Sequence, residues 1–94
     1  MRVTYVLVVQ VPAEGVASFQ RYESAVLPLL AEHQGALERR LRSHDQQTEV
    51  DVVSFPSIEH FERYRNDPRR VDHSHLLEES NAHVEIYAMS DVAS

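Results

Sequence analysis

The chain has 94 residues, a formal net charge of −6, no cysteine and no lysine. One domain of this length is expected. The missing cysteine excludes disulfide scaffolds, thiolate metal sites and Cys nucleophiles; the missing lysine excludes a Schiff-base lysine; and the acidic balance argues against nucleic acid, which calls for a basic stripe.

Residues 3–11 are almost all apolar, with Tyr5 and Gln10 as the main polar accents. The run is too short to span a membrane, and no small-residue cleavage site follows it. It reads as a strand, and the protein as soluble and cytoplasmic with no membrane partner. Val3, Tyr5, Leu7 and Val9 fall on one alternating face and Val6 and Val8 on the other, so the strand needs cover on both sides. A lone domain this small buries only about 60–65% of its unfolded surface. A second copy of the chain is the simplest cover for the face its own helices leave bare.

Pro12 breaks the strand, and residues 13–34 keep a helical period through Val16, Phe19, Tyr22 or Glu23, Val26, Leu29 and Leu30. Pro28 lies inside this pattern and should kink the helix by removing the bond to the Ser24 carbonyl. Gly35 is placed to be its left-handed C-terminal cap, and His33 is favourably placed at the negative end of the dipole. Residues 36–44 alternate Leu37 and Leu41 against Glu38, Arg40 and Arg42, the pattern of a charged edge strand. Asp45, Gln46 and Gln47 form a hairpin loop.

Thr48 to Phe55 reads as a buried strand rich in valine, ended by Pro56. Ser57 sits at a helix N-cap. Ile58, Phe61 and Tyr64 make an apolar stripe, and Asp67, preceding Pro68, ends that helix. A third helical piece is expected over 71–80, with Leu76 and Leu77 inward and Asn81 as its C-cap. His83 to Met89 is the closing strand.

The order βαββαβ in a single domain over residues 1–94 predicts an α+β, ferredoxin-like fold with a four-stranded antiparallel sheet. In that topology the first and third strands lie inside and the second and fourth at the edges. The apolar strands here are the first and third, and the charged ones the second and fourth.

The runs FxxYESAVLPLLAEHQGALERRLR, VDVVSFPSIEHFERYRNDPRR and HLLEES resemble bacterial proteins of the domain-of-unknown-function 1330 type, in the dimeric α+β barrel superfamily. The resemblance implies a homodimer in which two four-stranded sheets pack face to face with the helices outside. It also implies a pocket in each subunit between helices and sheet. Relatives include cofactor-free monooxygenases, haem-degrading monooxygenases, chlorite dismutases and muconolactone isomerases. No Asn-Trp-Tyr set of the monooxygenase kind is present, since the chain has no tryptophan, and Gly35 stands alone where such relatives carry two glycines.

Asp51 is the odd polar residue in a run of valines. Partly buried there, it would have a perturbed pKa and could serve as a base, or else as an ion-pair partner. Arg40 stands where these relatives often carry arginine. It could hold a carboxylate or phosphate, or pair across the hairpin with Asp51 or Glu49. Tyr22 and Tyr64 are candidate pocket walls or core residues, and Arg70 a candidate guard for an anionic ligand. His75 has Asp72 and Glu79 at helical spacing, but a protein zinc site needs three or four converging ligands, so no metal is expected. No phosphate loop, Ser-His-Asp order or HExxH motif is present, and no cofactor is expected. The sequence thus points to a small dimeric α+β barrel protein with a pocket for a small anionic or aromatic ligand. The alternative is a cofactor-independent monooxygenase or isomerase of a small aromatic or carboxylic substrate.

Overall fold

The computed structural model describes residues 1–93. Strand β1 (Val3–Gln10) leads through a 3-10 turn (Ala13–Gly15) into helices α1 (Val16–Val26) and α2 (Leu29–Glu32). The hairpin β2 (Ala36–Arg42) and β3 (Thr48–Phe55) follows, then α3 (Ile58–Arg65), α4 (Pro68–Val71), α5 (Ser74–Ser80) and β4 (His83–Met89). The strands form one antiparallel sheet in the order β2-β3-β1-β4. The apolar strands lie inside and the charged ones at the edges, as the ferredoxin-like pattern requires.

Register divides the residues of the sheet between two faces. Val3, Tyr5, Leu7 and Val9 pair with Phe55, Val53, Asp51 and Glu49 on the face that carries the helices. Leu29, Leu30, Phe61 and Tyr64 pack against Val53 and Phe55 there, and Val9 and Val11 meet Phe19. Val6 and Val8 pair with Val52 and Val50 on the opposite face, which no helix among the described residues covers.

Five local expectations are corrected, the last of them at Ile58. Pro28 does more than bend the first helix: it ends α1, and Leu30 N–H bonds back to Leu27, 3.1 Å away, in a tighter turn. The helical piece over 71–80 is two pieces, α4 and α5, because Pro68 starts a turn capped by Asp67. The left-handed residue after α2 is Gln34 (φ 60°), not Gly35. Gly35 is small for a different reason: a Cβ there would lie 2.6 Å from Cε1 of the fully buried Phe55. A bulge between Leu37 and Arg39 breaks the alternation of β2. Leu37 therefore pairs with Val53 on the helix face while Leu41 pairs with Val50 on the open face.

Other signals hold. Ser57 caps α3 by accepting from His60 N–H at 3.3 Å, and Asn81 takes the left-handed C-cap of α5 (φ 57°). Phe61 and Tyr64 are buried, but Ile58 is exposed and leaves the expected stripe.

Helix α5 packs on α1, and at Gly15, just before α1, an added Cβ would run into the Ser80 carbonyl oxygen. Backbone cannot yield as a side-chain tip can. Gly15→Ala is therefore expected to destabilise the fold by about 1–3 kcal/mol in urea denaturation. An unchanged midpoint would show that α1 and α5 separate at no cost.

Candidate functional site

Strand β3 turns Glu49, Asp51, Val53 and Phe55 toward the helices. The first two are carboxylates, and only 2% and 5% of their surfaces are exposed. Beside them β2 offers Arg42 and Arg40, in register with Glu49 and Asp51. From above, α1 lowers Glu23, equally buried. Arg40 reaches Glu23 at 2.9 Å and Glu49 at 3.3 Å. Arg42 reaches Glu49 at 2.8 Å and Glu23 at 3.3 Å. Carboxylate oxygens of Glu23, Glu49 and Asp51 lie within 4.8 Å of one another.

Two guanidinium charges balance two carboxylates, and the third carboxyl has no cation of its own. Burial raises Glu23 to about 8, helped by its bond to Glu49 and by that neighbour's charge and opposed by Arg40. Burial, then the charge of Glu49, raises Asp51 to about 7. Burial also works against ionised Glu49, but bonds from Glu23, Arg42 and Asp51 hold it below the usual carboxylate range. Near neutrality the cluster therefore keeps about one proton among its three carboxyls.

A cleft opens beside this cluster. Its floor carries Leu7, Asp51 and Val84, and its walls Leu27, Tyr64 and Arg70, all shared by two adjacent cavities of about 120 and 180 Å³. Tyr22 and Glu23 line the smaller cavity. Arg70 is aimed by the corner before it. Asp67 caps α4 by accepting from Arg69 N–H at 2.9 Å, and His33 and the Arg69 side chain hold the same carboxylate, each at 2.8 Å. These bonds, first that from Arg69 and then that from His33, keep Asp67 far below the usual carboxylate range. With the corner fixed, Arg70 donates to Tyr22 Oη at 2.9 Å and lies over the Tyr64 ring, 4.6 Å from its centre.

Two buried polar atoms lack partners among the described residues: Asp51 Oδ1 and Arg70 Nε. Both residues line both cavities. A larger groove of about 680 Å³ lies between α1 and α5, but it is an open surface hollow, and neither of these two residues lines it.

The fold thus gathers Asp51, Tyr22, Tyr64 and Arg70 in one cleft. Arg40 stands behind it, occupied by Glu23 and Glu49 rather than by Asp51. His75 is exposed on α5, its Nδ1 3.1 Å from the Asp72 carbonyl, and does not line the cleft. Glu23, Glu49 and Arg42 belong to the site without having been singled out for chemistry by the sequence. Glu23 did carry a signal: it is a carboxylate at an apolar position of the α1 period. The three acids could converge on a cation. Arg40 and Arg42 already hold two of them, so an ion would have to displace both arginines.

No family model matches the chain, and no curated protein matches its sequence significantly. The domain-of-unknown-function 1330 pattern accordingly stays a resemblance. Solved structures match throughout. SnoaB, a cofactor-independent oxygenase from Streptomyces nogalater, superposes with a TM-score of 0.79 at 19% identity, over 99% of this chain and 95% of that one. A candidate antibiotic biosynthesis monooxygenase from Caulobacter crescentus gives 0.74 at 8% identity, over 96% and 91%. A dimeric ferredoxin-like protein of unknown function from Jannaschia gives 0.74 at 14% identity, over 97% and 100%. At these identities the likeness establishes the ferredoxin-like α+β fold.

The raised carboxyls make a stability prediction. Asp51 binds its proton more tightly folded than unfolded, so its contribution is full below the usual carboxylate range and is lost as pH rises through about 7. Asp51→Asn is expected to be more stable than wild type at pH 8.5, by about 1–3 kcal/mol, with the gap closing toward pH 4. Chemical denaturation at both pH values reads the difference. An equal gap at both would remove the buried, high-pKa carboxyl.

Proposed function

We propose that the cleft binds a small aromatic or carboxylic molecule and that Asp51 takes a proton from it without a cofactor. The observation that carries this is that Asp51 and Arg70, each with a buried polar atom that no described residue partners, both line one largely apolar cleft. A buried polar atom without a partner costs about 1–3 kcal/mol. A ligand that brings an acidic hydrogen to Asp51 and an anionic oxygen to Arg70 would satisfy both. A carboxyl with a pKa near 7 is also matched to base catalysis at neutral pH.

The remaining parts fit this use. Leu7, Leu27 and Val84 supply apolar contact, and Tyr22, which accepts from Arg70, keeps its own hydroxyl hydrogen free to donate. The two cavities together approach the lower end of the range for small-molecule pockets, about 300 Å³, which suits a single ring with a short side chain. Removing a proton from such a substrate leaves an enolate or phenolate beside the Arg70 guanidinium, where the charge is stabilised. The second reading is a cofactor-independent monooxygenase, favoured by the likeness to the Streptomyces oxygenase. The same deprotonation would there precede attack on dioxygen, so oxygen uptake separates the readings.

Phenylpyruvate and phenylacetate are expected to bind wild-type protein in calorimetry. Arg70→Leu is expected to bind at least tenfold more weakly, since a charged hydrogen bond contributes about 1.5–3 kcal/mol. Absence of binding to wild type, or equal binding by Arg70→Leu, would contradict the reading.

The sheet face away from the helices suits a homodimer. Val6, Val8, Val50 and Val52 lie at its centre, with Leu41 and Tyr87 beside them and partly exposed. Covering such an apolar face against a second copy removes it from water. The Jannaschia neighbour is described as dimeric. Sheet-to-sheet packing predicts twice the 10.8 kDa chain mass in sedimentation equilibrium. Val52→Lys is expected to shift the population to monomer, and a monomeric wild type would end the proposal.

A further inference from the structure

We propose that Glu23 is a second proton-transferring group of the cleft, paired with Asp51 through Glu49, so that the protein isomerises enolisable 2-oxo acids by a 1,3-proton shift. The inference rests on the binding reading above and adds the reaction. Glu23 is 4% exposed and lines the same cavity as Asp51, Tyr22 and Arg70. Two buried carboxyls on one small cavity can meet two atoms of one substrate. Glu49 does not line that cavity. Arg42 at 2.8 Å and Arg40 at 3.3 Å pin it behind the other two as a fixed anion, with carboxylate oxygens of all three acids within 4.8 Å of one another.

The step closes without an external reagent. Ionised Asp51 takes the enol O–H proton, and the O–H electron pair forms the new C=O bond. The C=C pair takes a proton from the Glu23 carboxylic acid at C3. Asp51 is then protonated and Glu23 ionised, and the proton returns from Asp51 through Glu49 to Glu23. Arg70 and the Tyr22 hydroxyl face the substrate carboxylate and the developing oxyanion. No oxidant, reductant or second substrate enters.

The competent form needs Glu23 protonated and Asp51 ionised. Burial, Glu49, Arg40 and Arg42 set this balance, and Tyr22 on α1, Tyr64 on α3 and Arg70 on α4 are the other titratable or charged groups lining the same cavity. Since Glu23 stands at about 8 and Asp51 at about 7, the competent form is confined between those values. Turnover should fall on both sides.

The test is ketonisation of the phenylpyruvate enol followed by ultraviolet absorbance, with deuterium entry at C3 scored in D₂O. Wild type is expected to accelerate it with a bell-shaped pH profile. Glu23→Gln is expected to lower kcat by about 10²-fold or more while KM stays within about threefold. Glu23→Asp, which keeps the acid, should restore part of the rate and the alkaline limb. His75→Ala, outside the cleft, should behave as wild type. A Glu23 confined to pairing with Arg40 and Arg42 would change stability and leave the alkaline limb in place. Binding without acceleration, wild-type turnover in Glu23→Gln, or a profile without an alkaline limb would overturn the isomerase inference and leave the binding reading standing. Failure of wild type to bind phenylpyruvate would overturn both.

Discussion

Three carboxylates share two guanidiniums between α1 and the sheet. Burying an ion costs several kcal/mol unless a partner compensates, and here the supply of partners is one short. Several features of the fold serve this arrangement. The bulge in β2 puts Arg40 and Arg42 together on the helix face. The close approach at Gly15 seats α1 against α5, and the same helix carries Glu23 down to the arginines. Asp51 is the acid left without an arginine of its own among the described residues, and it lines the cleft. A site that has no need to bind would gain stability by replacing Asp51 with an apolar or neutral residue. A carboxylate placed there, in a stretch of valines, is the physical reason to read the cleft as a candidate site.

One strand carries two jobs through its period of two. Odd positions of β3 (Glu49, Asp51, Val53 and Phe55) build the cluster, the cleft floor and the core. Even positions Val50 and Val52 face away and offer an apolar surface to a second copy. A substitution on one face need not disturb the other, so assembly and ligand binding can be tested separately. The two prolines act similarly on the helix side. Pro28 divides the first helix and lets Leu29 and Leu30 turn onto Phe55. Pro68 opens α4 at a corner pinned by Asp67, His33 and Arg69, and so fixes where Arg70 stands.

Much of this was legible before the structure. Strand order followed from which strands were apolar on both faces and which carried charge. Ser57 and Asn81 were readable because their side chains or backbone preferences solve a local problem at a helix end. Asp51, Tyr22, Tyr64 and Arg70 were legible as candidates because each interrupts or decorates an apolar pattern. What failed depended on contacts distant in sequence. Gly35 looked like a cap, but its small size answers to Phe55 across the fold. Leu37 and Leu41 looked like one face, but the bulge between Leu37 and Arg39 separates them. Arg40 does pair across the hairpin with Glu49, but its shorter bond is to Glu23 from α1, a partner distant in sequence. His75 drew notice through local spacing, and the fold leaves it in solvent.

The most direct measurement is the titration of Asp51 itself, by carbon NMR of side-chain carboxyls in wild type and Asp51→Asn. A carboxyl titrating near pH 7, absent from Asp51→Asn and moved by addition of phenylpyruvate, is the expected result. A wild-type spectrum in which every carboxyl has finished titrating by about pH 5.5, in the ordinary carboxylate range, would contradict the buried, unpartnered acid on which the site depends.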